Sequence, residues 1–138
     1  AVEPELPPVA IDENKIHQIV LNLVTNARDA MPGGGTVTIE TFNPGYESLG
    51  GNPYMDLSVV QFTVTDTGQG MTRETMAHIF EPFFTTKPVG QGTGLGLAIC
   101  HGVVTDHAGT LELESVEGEG ATFRVTLPEA TLRPTAVA

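Results

Sequence analysis

Four short groups of residues have types and spacings that can do chemistry. Asn22 and Asn26 stand four positions apart, about 40° from one another around a helix, so both amides fall on one face. Asparagine oxygens suit a hard cation such as Mg2+; a solvated polar face is the plainer reading. Asp29 shares that face, and Arg28 does not. Asp66-Thr67-Gly68-Gln69-Gly70-Met71 presents one carboxylate at the end of an apolar, β-branched run. That carboxylate can accept a charge-assisted hydrogen bond from an exocyclic amine such as adenine N6, or bond its own backbone as turn aspartates do. Gly90-Gln91-Gly92-Thr93-Gly94-Leu95-Gly96-Leu97 crowds glycines at the entry to an apolar helix. There, free N–H groups attract anions and glycine lets a phosphate approach the backbone; a flexible hinge is the competing reading. Lys87, one of two lysines, lies just before this cluster. It can reach a terminal phosphate or simply be solvated.

Several other chemistries find no support. The glycine cluster has neither the Gly-Lys-Ser/Thr of a P-loop nor the dinucleotide-binding glycine spacing. His17, His78, His101 and His107 show no metal-ligand spacing, and no Ser-His-Asp arrangement stands out. Cys100 and His101 lie near or within an apolar helix and read as structural. Six basic residues face seventeen acidic ones, for a net charge of -11. That argues against nucleic-acid binding, which needs basic surface, and an anionic ligand would need local donors or a metal ion. One cysteine cannot form an internal disulfide, which fits a reducing, cytoplasmic compartment. No run of eighteen apolar residues could cross a membrane, so no direct membrane contact is expected of this chain.

The elements that must position these groups follow from periodicity. Residues 1–8 are proline-rich and read as a linker or first strand. Asp12 can cap a helix on which Ile16, Ile19, Val20, Leu23, Val24, Ala27 and Met31 recur at helical spacing, until Pro32-Gly33-Gly34-Gly35 ends it. Strands are expected over Thr36–Phe42 and Leu57–Asp66, with a loop rich in Gly, Pro and Asn over 43–53. The stretch from Thr67 to Gly94 is a long connection with only a short helical patch near Glu74–Ile79, and such connections are usually functional lids. Leu95–Val104 is apolar almost all round and reads as a buried helix. Two strands follow, Thr110–Ser115 and Ala121–Leu127. Residues 129–138 read as a frayed tail. Helix, strands, lid, helix, strands is the order of a two-layer α/β sandwich rather than a βαβ repeat.

Taken together and in this order, the segments resemble the catalytic and ATP-binding domain of sensor histidine kinases, within the wider GHKL superfamily that includes gyrase and mismatch-repair ATPases. Asn22 to Ala30 resembles that family's N box, Asp66 to Met71 its G1 box, Phe80 to Lys87 its F box and Gly92 to Leu97 its G2 box. Gly118-Glu119-Gly120-Ala121-Thr122-Phe123 resembles its closing Gly-x-Gly-x-Thr motif. The resemblance spans roughly residues 9–128, and Phe80 to Leu97 is especially similar to nitrogen-regulation-type and hybrid sensor kinases.

The resemblance implies a Bergerat fold: a mixed, mostly antiparallel sheet packed on about three helices, with a long ATP lid over Thr72–Gly92. It implies that Asp66 recognises the adenine amino group, with Thr122 helping through water. Asn26 would hold Mg2+, with Asn22 lining the same site and Asp29 acting through the metal's water shell. The ATP site would also draw on Gly68, Gly70, Met71, Phe80, Thr85, Thr86, Lys87, Gly92, Thr93, Gly94, Leu95, Gly96 and Leu97, with Asn22 and Lys87 in catalytic roles. Hydrolysing relatives usually carry a glutamate one helical turn before the Mg2+ asparagine. This chain has Asn22 there, and an amide is a poor general base. Phosphoryl transfer to a histidine is therefore expected, on a dimerisation domain absent from this chain, with a response regulator downstream. The competing readings are a gyrase-type ATP-hydrolysing switch, a non-catalytic module of the same fold and a protein-serine kinase of the superfamily. A monomer is expected, unable to phosphorylate itself.

Overall fold

The computed structural model describes residues 11–42, 59–86 and 94–128; the expectations for residues 1–8, the 43–53 loop and the 129–138 tail lie outside them. The first element, helix α1 (Glu13–Asp29), starts where Asp12 places its side-chain oxygen 2.8 Å from the Asn14 N–H, satisfying one of the free donors of the first turn. The apolar spacing puts Ile19, Leu23 and Ala27 inside, and the helix closes on Ala30, two residues before Pro32.

Strands β1 (Val37–Phe42), β2 (Val59–Asp66), β3 (Thr110–Ser115) and β4 (Ala121–Pro128) form one sheet in the order β1-β2-β4-β3. Every described pair is antiparallel. Side chains alternate across the sheet. Phe62, Val64, Phe123, Val125 and Leu127 join Ile19, Leu23, Cys100, Val104 and Leu111 in the core beneath the helices. The opposite face is largely polar. There Gln61 bonds Thr126 at 3.0 Å, the Thr65 and Thr122 hydroxyls meet at 3.0 Å, and Arg124 pairs with Glu114 at 3.1 Å.

Two further helices pass from sequence to structure with adjustments. The short patch is α2 (Arg73–His78), capped by Thr72, whose hydroxyl accepts the Thr75 N–H. The apolar run is α3 (Gly96–Asp106), and it is not buried all round. Cys100 and Val104 are fully buried, while Ile99 is 41% exposed and His101 is exposed. In a two-layer sandwich only one side of such a helix meets the sheet and its neighbouring helix, so the far side stays in solvent even when its residues are apolar.

Candidate functional site

The Asp66 loop is fixed by close backbone packing. Asp66 is 5% exposed, and its Oδ1 accepts the Gly68 N–H at 2.8 Å. The turn reading is therefore realised at one carboxylate oxygen; a carboxylate has a second with acceptor capacity of its own. The loop then runs against the end of α1. Gln69 N–H donates to Ala30 O at 3.1 Å, and a Cβ on Gly68 would stand 2.4 Å from that same carbonyl oxygen. On its other side it meets the β3–β4 turn. Gly118 N–H reaches Gln69 O at 2.7 Å, and Met71 N–H reaches Ser115 Oγ at 2.9 Å, whose hydroxyl in turn donates to Gly120 O at 2.7 Å. Ala30 and Ser115 thus hold the loop; Ala30 closes the segment Asn22 to Ala30 already singled out in the sequence, whereas Ser115 gave no signal there.

Helix α1 brings the other groups to the same region. Asn22 Nδ2 donates to Gly96 O, in the first turn of α3, at 3.3 Å, and to Cys100 Sγ at 3.5 Å. Asn26, one turn on, makes no side-chain hydrogen bond among the described residues. Ala30, one turn further, touches Gly68 and Gln69. The eight steps from Asn22 to Ala30 span about 12 Å along the axis, so α1 forms a floor with the start of α3 at one end and the Asp66 loop at the other. Asp29 lies at the edge of this floor and pairs with Arg28 at 3.2 Å. No side chain caps α3.

The aromatic loop is pinned at Phe80 and at Phe83. Phe80 stacks on His101 at 5.1 Å between centroids and meets Phe123 edge-on at 6.5 Å. Phe83 adopts a left-handed φ of 70°, and its N–H donates to Gly94 O at 2.8 Å. Gly94 sits so close that a Cβ there would lie 2.3 Å from the Phe83 carbonyl carbon. The aromatic and glycine-rich segments are thereby joined at their bases. Thr85 and Thr86 are exposed, Met71 and Leu97 pack against the core, and Lys87, Gly92 and Thr93 lie outside the described residues.

Thr122 is not brought to this region. The β2–β4 register sets Ala121 opposite Asp66 and Thr122 opposite Thr65. Alternation therefore turns Thr122 to the outer face, where it bonds Thr65. Counting motif positions cannot reveal which face a strand residue occupies; the pairing register decides it.

Cys100, read as purely structural from sequence, is fully buried and touches Asn22. Burial pushes its thiol pKa up, against a smaller lowering by the Asn22 hydrogen bond. Among the described residues no group of three or more His, Cys, Asp or Glu could hold a metal ion, and no helix is long and apolar enough to cross a membrane.

Comparison with known proteins agrees with this fold. The family described as histidine kinase-, DNA gyrase B-, and HSP90-like ATPase matches residues 11–131. Sensor kinase CckA of Brucella abortus (strain 2308) is 43% identical over 127 residues, covering 90% of this chain and 13% of that protein. Sensor histidine kinase ZraS of Escherichia coli (strain K12) is 37% identical over 123 residues, covering 89% of this chain and 23% of that protein. The chain thus spans less than a quarter of each of these two relatives. Among solved structures, full-length ShkA in complex with AMPPNP superposes with a TM-score of 0.75 at 32% identity, over 97% of this chain and 26% of that one. The catalytic domain of histidine kinase ThkA, in a nucleotide-free form, superposes with a TM-score of 0.71 at 32% identity, over 93% and 76%.

Proposed function

The chain belongs to the family of histidine kinase-, DNA gyrase B- and HSP90-like ATPases, and we propose that it is the ATP-binding catalytic domain of a two-component sensor histidine kinase. It binds Mg-ATP and delivers the γ-phosphoryl group to a histidine on a dimerisation domain of the same parent protein, which then serves a response regulator. The observation that carries this reading is the convergence of three segments on one floor: the Asp66 loop against Ala30, α1 itself, and the first turn of α3 against Asn22.

In this reading Asp66 receives the adenine amino group at Oδ2, because Oδ1 is already engaged by Gly68. Gly68, Gly70 and Met71 hold the loop that frames the base. Phe80 anchors the lid's base, and Thr85, Thr86 and Lys87 belong to the lid, Lys87 reaching for the terminal phosphate. Gly92 and Thr93 are assigned to the phosphates with the rest of the glycine-rich segment, and the backbone of Gly94, Leu95, Gly96 and Leu97 would meet them at the start of α3. Thr122 is left out, since it lies on the other face of the sheet. The donor set of Asn26, Asn22 and the outlying Asp29 is all oxygen and short of a full shell. That suits Mg2+, which keeps several waters and shares substrate phosphates. When bound, the ion would neutralise charge on the transferring phosphoryl group.

Asn22 stands where the ATP-hydrolysing relatives carry a glutamate, so the chain lacks a base for water at that position, and a phosphotransferase is favoured over a hydrolytic switch. The test is incubation with γ-labelled ATP and Mg2+. The isolated chain should form no stable phosphohistidine and hydrolyse ATP only slowly; supplying the parent's histidine-bearing helical segment should produce phosphohistidine on that segment. Rapid hydrolysis by the chain alone would move the gyrase-type reading to the front.

A further inference from the structure

Cys100, the protein's single cysteine, is a buried thiol that this function leaves unused. It is 0% exposed, yet it is not packed only as a small hydrophobe. Its Sγ receives the Asn22 amide nitrogen at 3.5 Å and faces the Ile19 carbonyl oxygen of α1 at 3.9 Å. The same Asn22 nitrogen donates to Gly96 O at 3.3 Å. A carboxamide nitrogen has two N–H donors, and both acceptors here sit on α3, one turn apart. The amide is therefore held from one side, and which end is nitrogen and which oxygen is set by the acceptor-only carbonyl of Gly96. A Cβ on Gly96 would lie in ordinary contact with the Asn22 amide, 3.6 Å from its carbon, 3.7 Å from Oδ1 and 3.8 Å from Nδ2, so the start of α3 packs directly on that amide.

We propose that Cys100 is a positioning residue: with Gly96 it clamps the amide nitrogen of Asn22 so that Oδ1 is presented, pre-oriented, to the metal ion and its waters. The proposal rests on the Mg-nucleotide reading of the site and adds to it a residue outside the motifs. Burial keeps the sulfur a thiol near neutral pH, so it can accept from Asn22 while its S–H faces Ile19 O. The same contact ties α1 to α3, coupling the metal-facing and phosphate-facing halves of the floor. Orientation supplied in advance by the protein is not lost again when the ligand binds.

Two measurements test this. The first is the side-chain NH2 signal of Asn22 by NMR in the unliganded protein, which needs neither variant nor nucleotide. The clamp predicts hydrogen-bonded, slowly exchanging protons for Asn22 and solvent-like ones for Asn26; two indistinguishable, solvent-like amides would overturn it. The second is the ratio of ADP affinities with and without Mg2+ for wild type, Cys100→Ala and Cys100→Ser, each checked for folding by thermal melting. Cys100→Ala should lower the Mg2+ enhancement by about three- to tenfold, leaving Mg2+-free affinity nearly unchanged. Cys100→Ser, which keeps an acceptor, should restore much of it. An unchanged enhancement in Cys100→Ala, or a loss that serine does not repair, would reduce Cys100 to packing. If the NMR clamp is present and wild type binds no nucleotide, the proposed ligand is wrong, and the metal-presenting role falls with it.

Discussion

At the scale of single residues, Asp66 is assigned two tasks at once. One oxygen holds the turn through Gly68 N–H; the other is assigned to the ligand. Asp66→Asn separates these roles. The amide oxygen can still accept from Gly68, but its other end becomes a donor, which opposes an incoming amine. We expect Asp66→Asn to keep the protein folded, with a stability change of no more than about 1 kcal/mol in denaturant melts, while nucleotide binding suffers. Gly68→Ala should behave differently. Its Cβ would meet the Ala30 carbonyl oxygen at 2.4 Å, so the loop must move off α1. A loss of about 1–3 kcal/mol in unfolding free energy is expected, with binding lost in parallel. The glycines at these positions are legible in sequence because their pattern is dense. Ser115 and Cys100 are not, because an isolated serine or cysteine gains its role only from the backbone that folding brings beside it.

At the scale of elements, α1 has a structural end and a functional end. Asp12 caps the first turn, about 15 Å along the axis from Asn22. Asp12→Ala should cost about 1 kcal/mol of stability and leave nucleotide affinity unchanged, as equilibrium denaturation and calorimetry on one preparation would show. The α1–α3 contact has a pH signature. A thiol pKa raised by burial in the folded state, above its ordinary value of 9.0, means that the folded protein holds its proton after the unfolded chain has released it. The Cys100 contribution to stability is then fully present below pH 9.0 and declines as pH rises from there. Melts across the alkaline range should show a steeper decline for wild type than for Cys100→Ala.

Helical periodicity and the Asp12 cap made the start of α1 legible, though its end falls at Asp29, two residues before the Met31 that the spacing included, and alternation gave the four strands. Periodicity could not say that α3 has an exposed side, since an apolar helix reads alike whether one layer covers it or two. Nor could a motif position show that Thr122 faces Thr65 rather than Asp66's side, because register across strands distant in sequence decides that.

At the scale of the whole molecule, a net charge of -11 surrounds a site assigned to a polyanion. Local donors at the start of α3 act within a few ångströms, whereas the diffuse negative field acts over the Debye length. That length falls from about 30 Å at 0.01 M to about 8 Å at 0.15 M ionic strength. The association rate for free nucleotide should therefore rise between those two conditions, the reverse of the usual trend for a basic phosphate-binding protein. Stopped-flow measurements with a fluorescent adenine nucleotide would read the sign directly. The sheet places its apolar face against the helices and its threonine-rich face outward, so all three site-forming segments lie on the helical side. The candidate site thus lies on the helical side of a two-layer architecture that the order of elements in the sequence already implied.

Adenine recognition by Asp66 is read out by a calorimetric titration of wild type and Asp66→Asn with AMPPNP and its guanine counterpart in the presence of Mg2+. Wild type should bind the adenine form selectively, and Asp66→Asn, still folded, should bind it about ten- to a hundredfold more weakly, the loss of one hydrogen bond to a charged group. Equal affinity of the two proteins, equal affinity for the two bases, or no binding at millimolar ligand would contradict adenine recognition by Asp66.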